Sequence, residues 1–556
     1  MLKRRQDYQP PAFLVTSVYV SIDIKDNVTD VITTLALRRN PDAAPNAALW
    51  LDGQGVELTR LVIDSVNVPV GDDLPDHLSL GDHGLSVAGL GDTAQIEVQS
   101  RCYPQNNTAL EGLYLSGGMY CTQCEPEGFR RIGFFPDRPD VMSVFTVRIE
   151  ASQTFPQLLS NGNLIERGHA GPDRHYAVWH DPHPKPSYLF AMVAGDLARV
   201  SDSFTTADGR EVALNIFVEH GNEAACDWAM DSLKRSMRWD EEAFGRVYDL
   251  DVFNIVAVSD FNMGAMENKG LNIFNDKYVL ARPDTATDQD YAGIEAVIAH
   301  EYFHNWTGNR ITCRDWFQLC LKEGLTVFRD QEFSSDMRSR PVKRISDVRL
   351  LKSHQFPEDA GPLAHPVRPR QYHEINNFYT ATVYEKGAEV VRMLKTLVGP
   401  EDFRAGMDLF FERHDGEATT IEAFLACFAE ASGRDLAQFA LWYEQAGTPA
   451  LSVESRYDQA AGTLTLDISQ RTPATPGETR KQAMHIPLRV GLVGPDGSDM
   501  PPADVSGMEH GDDVLHLRDG RHQVVFSGLA EQPVPSLLRG FSAPVTLSSN
   551  LADADY

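Results

Sequence analysis

The feature that most constrains this chain is a run of five residues near its middle, H-E-Y-F-H at positions 300–304. On an α-helix, residues four apart lie on one face, so His300 and His304 can reach a single metal ion if the run is helical. The surrounding segment is apolar nearly all round, with Val297, Ile298 and Trp306 beside the run. Ionisable groups inside such a helix must be paired or bound to a metal. The run therefore predicts a buried helix over residues 291–307 that carries two metal ligands.

The next helical pattern along the chain, residues 316–336, predicts the third ligand. Gly308 ends the first helix, and a second helix after a turn can bring Glu323 back against the first. Zn²⁺ accepts two neutral histidines and one carboxylate and keeps a fourth position for water. Glu301 would project beside that water as a general base. We therefore predict one Zn²⁺ per chain.

Asp330 lies seven residues after Glu323, which is two helical turns further along the same face. A carboxylate in that position could orient a ligand histidine from behind the metal. An ordinary aspartate on a helix surface is the alternative, and the spacing alone leaves both open.

Hydrophobic periodicity divides the chain into three parts. Short alternating runs bounded by turn residues predict a β-rich domain over residues 1–197. Helical spacing then predicts a mixed α/β domain over residues 198–447, and alternation returns over residues 448–556, which favours a β-sandwich. The predicted fold class is therefore multidomain α+β. The helices expected besides the two above cover residues 224–244, 385–398, 400–413, 420–431 and 435–446, and Thr419 with Glu422 suggests a capping box.

The net charge excludes several classes of partner. Of the 556 residues, 50 are Lys or Arg and 79 are Asp or Glu, so the formal charge is 50 − 79 = −29. Nucleic acid and anionic membrane surfaces are bound by clustered cations, so neither is expected. No apolar run is long enough to cross a bilayer, and seven cysteines are too few, and odd in number, for a disulfide framework. The default expectation is a soluble cytoplasmic protein, taken as a monomer.

A second motif lies upstream of the first and gives the chain a family resemblance. Residues 263–268 read M-G-A-M-E-N and contain G-A-M-E-N, while H-E-x-x-H is followed after 18 residues by Glu323. Together these motifs resemble the aminopeptidase N family of zinc metallopeptidases (gluzincins), and the segments 254–281, 302–336 and 376–387 resemble its bacterial branch. The resemblance implies a saddle-like N-terminal β domain, a thermolysin-like catalytic domain and a C-terminal β-sandwich.

The resemblance also implies a role for each matching residue. His300, His304 and Glu323 match the zinc ligands and Glu301 the general base. Glu267 and Glu125 match the carboxylates that bind the substrate's free α-amino group, and Tyr384 matches the tyrosine that steadies the tetrahedral intermediate. The remaining positions that match substrate-binding residues are Gln123, Met263, Gly264, Ala265, Met266 and Asn268.

These residues predict an aminopeptidase that hydrolyses the first peptide bond of peptides with a free N-terminus. An epoxide-hydrolysing relative would resemble a G-G-M-E-N variant, whereas Ala265 stands in the second position here. An inactive scaffold would have lost a ligand or the base, and neither is lost. The bacterial relatives are expected to continue into a large helical domain beyond the β-sandwich. A truncated form with an exposed site and weak activity is therefore the other reading.

Two further patterns are predicted not to carry chemistry. Cys121 and Cys124 have C-x-x-C spacing, but no second pair follows, so we expect buried thiols on the segment that carries Glu125. The Pro-rich residues 180–184 are predicted to form a turn.

Overall fold

The computed structural model describes residues 2–71, 74–511 and 513–552, which form two compact units. The first unit comprises Asp7–Trp316 with His414–Thr419. The described residues of the second are 2–6, 317–413, 420–511 and 513–552. The predicted succession of a β-rich part, a mixed α/β part and a β-sandwich is confirmed. The domain boundaries at residues 197 and 447 stay predictions.

The first unit contains a large, mostly antiparallel sheet. Its alternating strands bury one face, as in Thr29–Arg39, where Val31, Leu35 and Leu37 lie inside. One neighbouring pair is parallel, Ser143–Ser152 beside Phe13–Ile24. The eight strands in spatial order are Asn163–His169, Arg174–Lys185, Ser143–Ser152, Phe13–Ile24, Thr29–Arg39, Thr93–Cys102, Glu57–Ile63 and Val66–Val68.

Three smaller sheets lie in the same unit. A four-stranded sheet has the order Gly112–Ser116, Met119–Gln123, Met192–Gly195 and Gln157–Ser160. A three-stranded sheet has the order Leu49–Asp52, Gly84–Val87 and Leu78–Gly81, and Thr312–Cys313 pairs with Ala418–Thr419.

A five-stranded mixed sheet carries the G-A-M-E-N motif on its edge. Its order is Ala198–Thr205, Glu211–Val218, Val252–Val258, Leu271–Asn275 and Ala265–Met266. The three middle strands run parallel, and two of them, Val252–Val258 and Leu271–Asn275, are buried on both faces. The edge strand Ala265–Met266 is antiparallel to its neighbour.

Helices α1 (Asp227–Phe244) and α2 (Asp288–Phe303) pack together in this unit. Trp239 of α1 contacts Phe303 of α2, with ring centroids 5.0 Å apart. Thr287 begins α2 with a capping box, because its side chain accepts from the Asp290 amide while the Asp290 carboxylate accepts from the Thr287 amide. The α2 helix therefore starts three residues earlier than predicted.

The other α-helices of the described chain lie in the second unit, except that His414, the last residue of one of them, belongs to the first. The longest, α3 (Leu319–Met337), is buried from Leu319 through Ser335 and packs against α6. Two single turns of π-helix, Leu351–Gln355 and Thr382–Lys386, interrupt the α-helical segments. The remaining helices are α4 (Arg340–Leu350), α5 (Phe356–Ala360), α6 (Gly387–Val398), α7 (Pro400–His414), α8 (Ile421–Ser432) and α9 (Leu441–Glu444).

The β-sandwich of the second unit consists of two facing, mostly antiparallel sheets. One has the order Asp504–Ser506, Arg521–Ser527, Thr463–Arg471, Ala450–Asp458 and Thr546–Ser549. The other has the order His510–Gly511, Val514–Leu517, Ile486–Val493 and Val534–Leu537. Lys3–Arg4 pairs with Gln371–Tyr372 in the same unit. Across the described chain, every helix is too short or too polar to cross a membrane.

Three local predictions were wrong. Residues 180–184 end the strand Arg174–Lys185 rather than forming a turn, because a register shift opposite Pro182 and Pro184 removes the need for their missing amide donors. Thr420, not Thr419, caps α8 and accepts from the Ala423 amide at 3.4 Å. The helix expected over residues 435–446 is reduced to α9.

Candidate active site

The two motif histidines lie together at the end of α2. His300 is in its last turn and His304 follows as the C-cap residue. Their Nε2 atoms are 3.0 Å apart, and the two rings are nearly perpendicular at 84°. Two imidazole nitrogens bound tetrahedrally to one Zn²⁺ are about 3.3 Å apart. The pair of nitrogens therefore fits a shared zinc ion.

The turn after α2 fixes which nitrogen of His304 can bind a cation. Its Nδ1 lies 2.8 Å from the carbonyl oxygen of Thr307, and because a carbonyl only accepts, Nδ1 carries the proton. In the neutral ring, Nε2 then presents its lone pair to His300. Gly308 makes the turn possible, since its φ is +145° and a Cβ atom there would lie 2.8 Å from Nδ1.

Two buried carboxylates converge on the same place in the first unit. Glu267, Glu301 and His304 each offer one atom, and these atoms all lie within 4.8 Å of one another. One Glu267 oxygen is 3.9 Å from His304 Nδ1. Glu267 is 3% and Glu301 6% exposed. Carboxylates so well buried need a cation or hydrogen-bond donors nearby, which is a property of metal and ammonium sites.

Glu267 follows an edge strand, so the backbone beside it is open for pairing. Ala265 and Met266 pair with Phe274 and Ile273 on one side, and on the other they end the sheet. Gly264 is exposed and Met263 partly buried. An extended peptide can add to such an edge through main-chain hydrogen bonds.

The segment that carries Glu125 reaches this edge strand in the first unit. The Gln123 amide nitrogen donates to the Glu125 carbonyl oxygen at 3.2 Å and lies 3.6 Å from the Met266 sulfur. Gln123 and Glu125 are 2% and 4% exposed. The two segments that hold the predicted amine-binding carboxylates are therefore in direct contact.

Several buried polar atoms here meet no donor or acceptor among the described residues. They include Gln123 Oε1 and both amide atoms of Asn268, whose side chain is fully buried. Buried polar atoms in native proteins are almost always hydrogen-bonded, so atoms left over point to water or a ligand as the partner.

Glu323 and Tyr384 belong to the second unit. Glu323 is 3% exposed on α3, and Lys322, equally inside, donates to its Oε1 at 2.6 Å. Tyr384 lies on the π-helical turn Thr382–Lys386. Both ends of that turn are tied down: Thr382 donates to Glu358 and Lys386 donates to Asp359 at 2.6 Å. Single π-helical turns are frequent at functional sites.

Asp330 is also buried on α3, at 9% exposure. Within the second unit it acts electrostatically on Glu385, the neighbour of Tyr384. Burial, together with Asp330 and Asp347, raises the pKa of Glu385 to about 7. Whether Asp330 orients a ligand histidine stays a prediction.

The two cysteines beside Glu125 form no disulfide and are fully buried. Burial raises the pKa of Cys121 to about 12, and the pKa of Cys124 lies well above its ordinary value. Thiols that stay protonated at neutral pH are poor nucleophiles, which agrees with the prediction that these two cysteines carry no chemistry.

Two residues beside the motifs were not predicted from the sequence: Asn309 contacts the motif backbone, and Lys269 contacts the residue that follows His304. The Asn309 amide donates to the Glu267 carbonyl oxygen at 2.9 Å, and the buried ammonium of Lys269 donates to Asn305 at 2.8 Å. Lys269 follows G-A-M-E-N directly and Asn309 follows Gly308. Polar side chains placed just after motif residues were the only sequence signal for them.

Comparison with known families gives three matches along the chain. Residues 93–189 match the peptidase M1 N-terminal domain, and residues 228–443 match the peptidase family M1 domain. Residues 447–550 match a domain of unknown function with an Ig-like fold.

Individual relatives match nearly the whole chain. The chain is 54% identical to aminopeptidase N of Caulobacter vibrioides and 50% identical to aminopeptidase N of Escherichia coli, with 99% of this chain covered in each case. The crystal structure of Legionella pneumophila aminopeptidase A in complex with aspartic acid superposes with a TM-score of 0.89 at 32% identity and covers 100% of this chain. This chain spans 62% of the length of each of these three proteins.

Proposed function

This chain belongs to the peptidase M1 family, and from that premise we propose that it is a zinc-dependent aminopeptidase. It would remove the N-terminal residue from peptides whose α-amino group is free. The observation that carries the proposal is the pair of imidazoles on α2, with Nε2 atoms 3.0 Å apart and His304 fixed in the tautomer that leaves Nε2 for a metal.

His300, His304 and Glu323 would hold the zinc ion. The two histidines are supported by their geometry, and Glu323 by its spacing after H-E-x-x-H and by its burial on α3. Bound there, zinc would polarise the scissile carbonyl and lower the pKa of water to about 7.

Glu301 would act as the general base. It follows the first ligand on the helix, and its carboxylate lies within 4.8 Å of a His304 ring nitrogen. It would take a proton from the attacking water and pass it to the leaving amine. The Tyr384 hydroxyl would donate a hydrogen bond to the carbonyl oxygen as negative charge develops on it.

Glu267 and Glu125 would fix the position of the substrate's N-terminus. Both carboxylates are buried, and an ammonium group supplies the positive charge that two such carboxylates require. With the ammonium held there, the first peptide bond is the one that lies over the metal. The edge strand Ala265–Met266 would bind the substrate backbone.

A panel of aminoacyl arylamides, with and without their α-amino groups acetylated, tests the proposal. We expect this chain to hydrolyse the free amines and to leave the acetylated compounds untouched, and a chelator should abolish turnover. Equal rates on both sets would contradict the amine-binding role of Glu267 and Glu125, whereas full activity in chelator would contradict the zinc.

A further inference from the structure

A buried polar network lies behind the motif glutamate, and the chemistry proposed above does not use it. Its centre is Asp249, whose side chain is 9% exposed. Asp249 precedes the strand Val252–Val258, and Lys269 precedes the parallel strand Leu271–Asn275. The network therefore joins the starts of two strands to the turn that follows the metal-binding helix.

Lys269 is the link on the downstream side of Glu267. It is 1% exposed, and its ammonium donates to Asp249 and, at 2.8 Å, to Asn305 Oδ1. Asn305 in turn donates to the same Asp249 oxygen at 3.2 Å. Asn305 is the residue next to His304, so this contact reaches the metal-binding turn.

Asn309 is the link at Glu267 itself. Its amide donates to the Glu267 carbonyl oxygen at 2.9 Å, while its own backbone amide donates to the His304 carbonyl oxygen at 2.9 Å. One residue thus connects the main chain of the proposed amine-binding carboxylate to the main chain of a proposed metal ligand.

Two cations, Lys269 and Arg310, donate to Asp249, and Arg310 also donates to Asp415. Burial would raise the pKa of that carboxyl group, but Lys269, His183 and Arg310 outweigh burial and hold the pKa below its ordinary range. Arg310 donates to the second carboxylate oxygen at 2.7 Å. A buried ion pair adds little net stability compared with apolar packing of the same volume, and in some proteins such a pair fixes geometry.

We propose that Lys269 and Asn309 are positioning residues that hold Glu267 in register with His304. They set the distance between the carboxylate that binds the substrate's ammonium and the imidazole that binds the metal. The inference rests on the proposed function, in that it assumes Glu267 binds the ammonium. It goes beyond that function because it assigns the spacing between Glu267 and His304 to two residues outside both motifs.

Two hydroxamates that differ only in the α-ammonium test the inference. L-leucine hydroxamate and 4-methylpentanehydroxamic acid share the metal-binding group and the alkyl chain. Isothermal titration of each into the zinc-loaded protein gives two dissociation constants. The dissociation constant of the ammonium-free hydroxamate divided by that of L-leucine hydroxamate is the ratio that measures recognition of the ammonium. Steady-state kcat and KM of an aminoacyl arylamide are measured in parallel.

We expect the ratio to fall by about tenfold or more in Lys269→Met and in Asn309→Ala, because a small displacement of the carboxylate weakens the ion pair. The ammonium-free hydroxamate should bind as it does to wild type, and KM should rise more than kcat falls. Asn309→Ser replaces Asn309→Ala if the latter does not fold.

Asn40→Ala is the matched control. Asn40 is 7% exposed and donates to a backbone carbonyl, that of Pro11, at 2.9 Å, yet it contacts no motif residue. It should lose comparable stability with no change in the ratio. An unchanged ratio in folded Lys269 and Asn309 variants, or an equal weakening of both hydroxamates, would overturn the inference. A wild-type ratio near one would overturn the proposed function and the inference with it.

Discussion

Gly324 and Gly387 approach each other so closely that a Cβ atom on Gly324 would lie 2.8 Å from the carbonyl carbon of Gly387. A Cβ atom on Gly387 would lie 3.1 Å from the Cα atom of Gly324. Gly324 follows Glu323 on α3, and Gly387 begins α6 three residues after Tyr384. This contact between two glycine backbones therefore sets the spacing between α3, which carries the proposed metal ligand Glu323, and the π-helical turn that carries the proposed oxyanion donor Tyr384.

Replacing Gly324 by alanine should separate these two helices. Alanine is favoured over glycine in a helix by about 1 kcal/mol, but overlap with main-chain atoms opposes this gain by about 1–3 kcal/mol or more. We expect lower stability and at least about a tenfold loss in kcat, since a small misplacement of catalytic groups is costly. Thermal denaturation and arylamide kinetics measure both.

Gly293→Ala is the control for this substitution. Gly293 lies in α2, and a Cβ atom there would meet only a Tyr278 ring carbon at 3.9 Å, an ordinary contact. The control should keep its activity, and its melting temperature should stay level or rise, because alanine is favoured over glycine in a helix. If Gly324→Ala behaves in the same way, the close approach has no role in the spacing.

Glu301→Gln should separate proton transfer from metal binding. The amide keeps the size of the side chain but cannot accept a proton, so turnover should fall by about two to four orders of magnitude. Metal analysis should still find about one zinc per chain. Asp288→Asn, an exposed acid at the start of the same helix, should leave both unchanged. Zinc lost together with activity would make Glu301 a ligand rather than a base.

Local patterns in the sequence predicted the elements that depend on neighbouring residues. The H-E-x-x-H helix was predicted because the segment is apolar nearly all round and its two histidines are four residues apart, and α2 carries the motif but ends at Phe303 rather than at residue 307. The β-sandwich strands were predicted from alternation in the same way. The cap of α8 was predicted one residue too early, at Thr419, because Glu422 follows three residues later; Thr419 instead pairs with Cys313 in a strand, and Thr420 caps the helix.

Contacts between distant segments could not be predicted from these patterns. The Asn309 amide donates to the carbonyl oxygen of Glu267, 42 positions away, and the Gly324 backbone lies against that of Gly387, 63 positions away. The sequence at these positions shows only a common polar residue and two glycines. Pro182 and Pro184 indicated a turn because their missing donors matter only where a partner strand needs them. That condition depends on the register of Ser143–Ser152, which no local signal fixes.

Tyr384→Phe should lower kcat with little change in KM. The hydroxyl is proposed to act only as charge develops on the carbonyl oxygen, and removing one such donor costs about 10²–10³ in kcat. Tyr372→Phe is the matched control in the same unit, where the ring packs against Phe378 with centroids 5.0 Å apart. An effect on KM alone would assign Tyr384 to substrate binding.

Glu385, the neighbour of Tyr384, gives the fold a dependence on pH whose sign can be worked out. Burial, Asp330 and Asp347 raise the pKa of its carboxyl group from 4.5 to about 7, and Lys343 opposes them only in part. At pH below the ordinary value, the group is protonated in both the folded and the unfolded chain. Between the two pKa values the unfolded chain releases the proton and the folded chain keeps it. The free energy of unfolding therefore falls as pH rises through this window.

Glu385→Gln should remove that loss, because glutamine stays neutral at every pH. Between about pH 4.5 and 7, the free energy of unfolding of wild type should fall by up to roughly 3 kcal/mol because of Glu385, and that of the variant should not show this fall. The variant should therefore gain melting temperature relative to wild type as the pH is raised, which denaturation at about pH 5 and about pH 8 measures. Glu412→Gln, an exposed acid on α7, should track wild type at both values. A constant difference between Glu385→Gln and wild type across the window would show that the carboxyl group is already ionised in the folded chain at the lower pH.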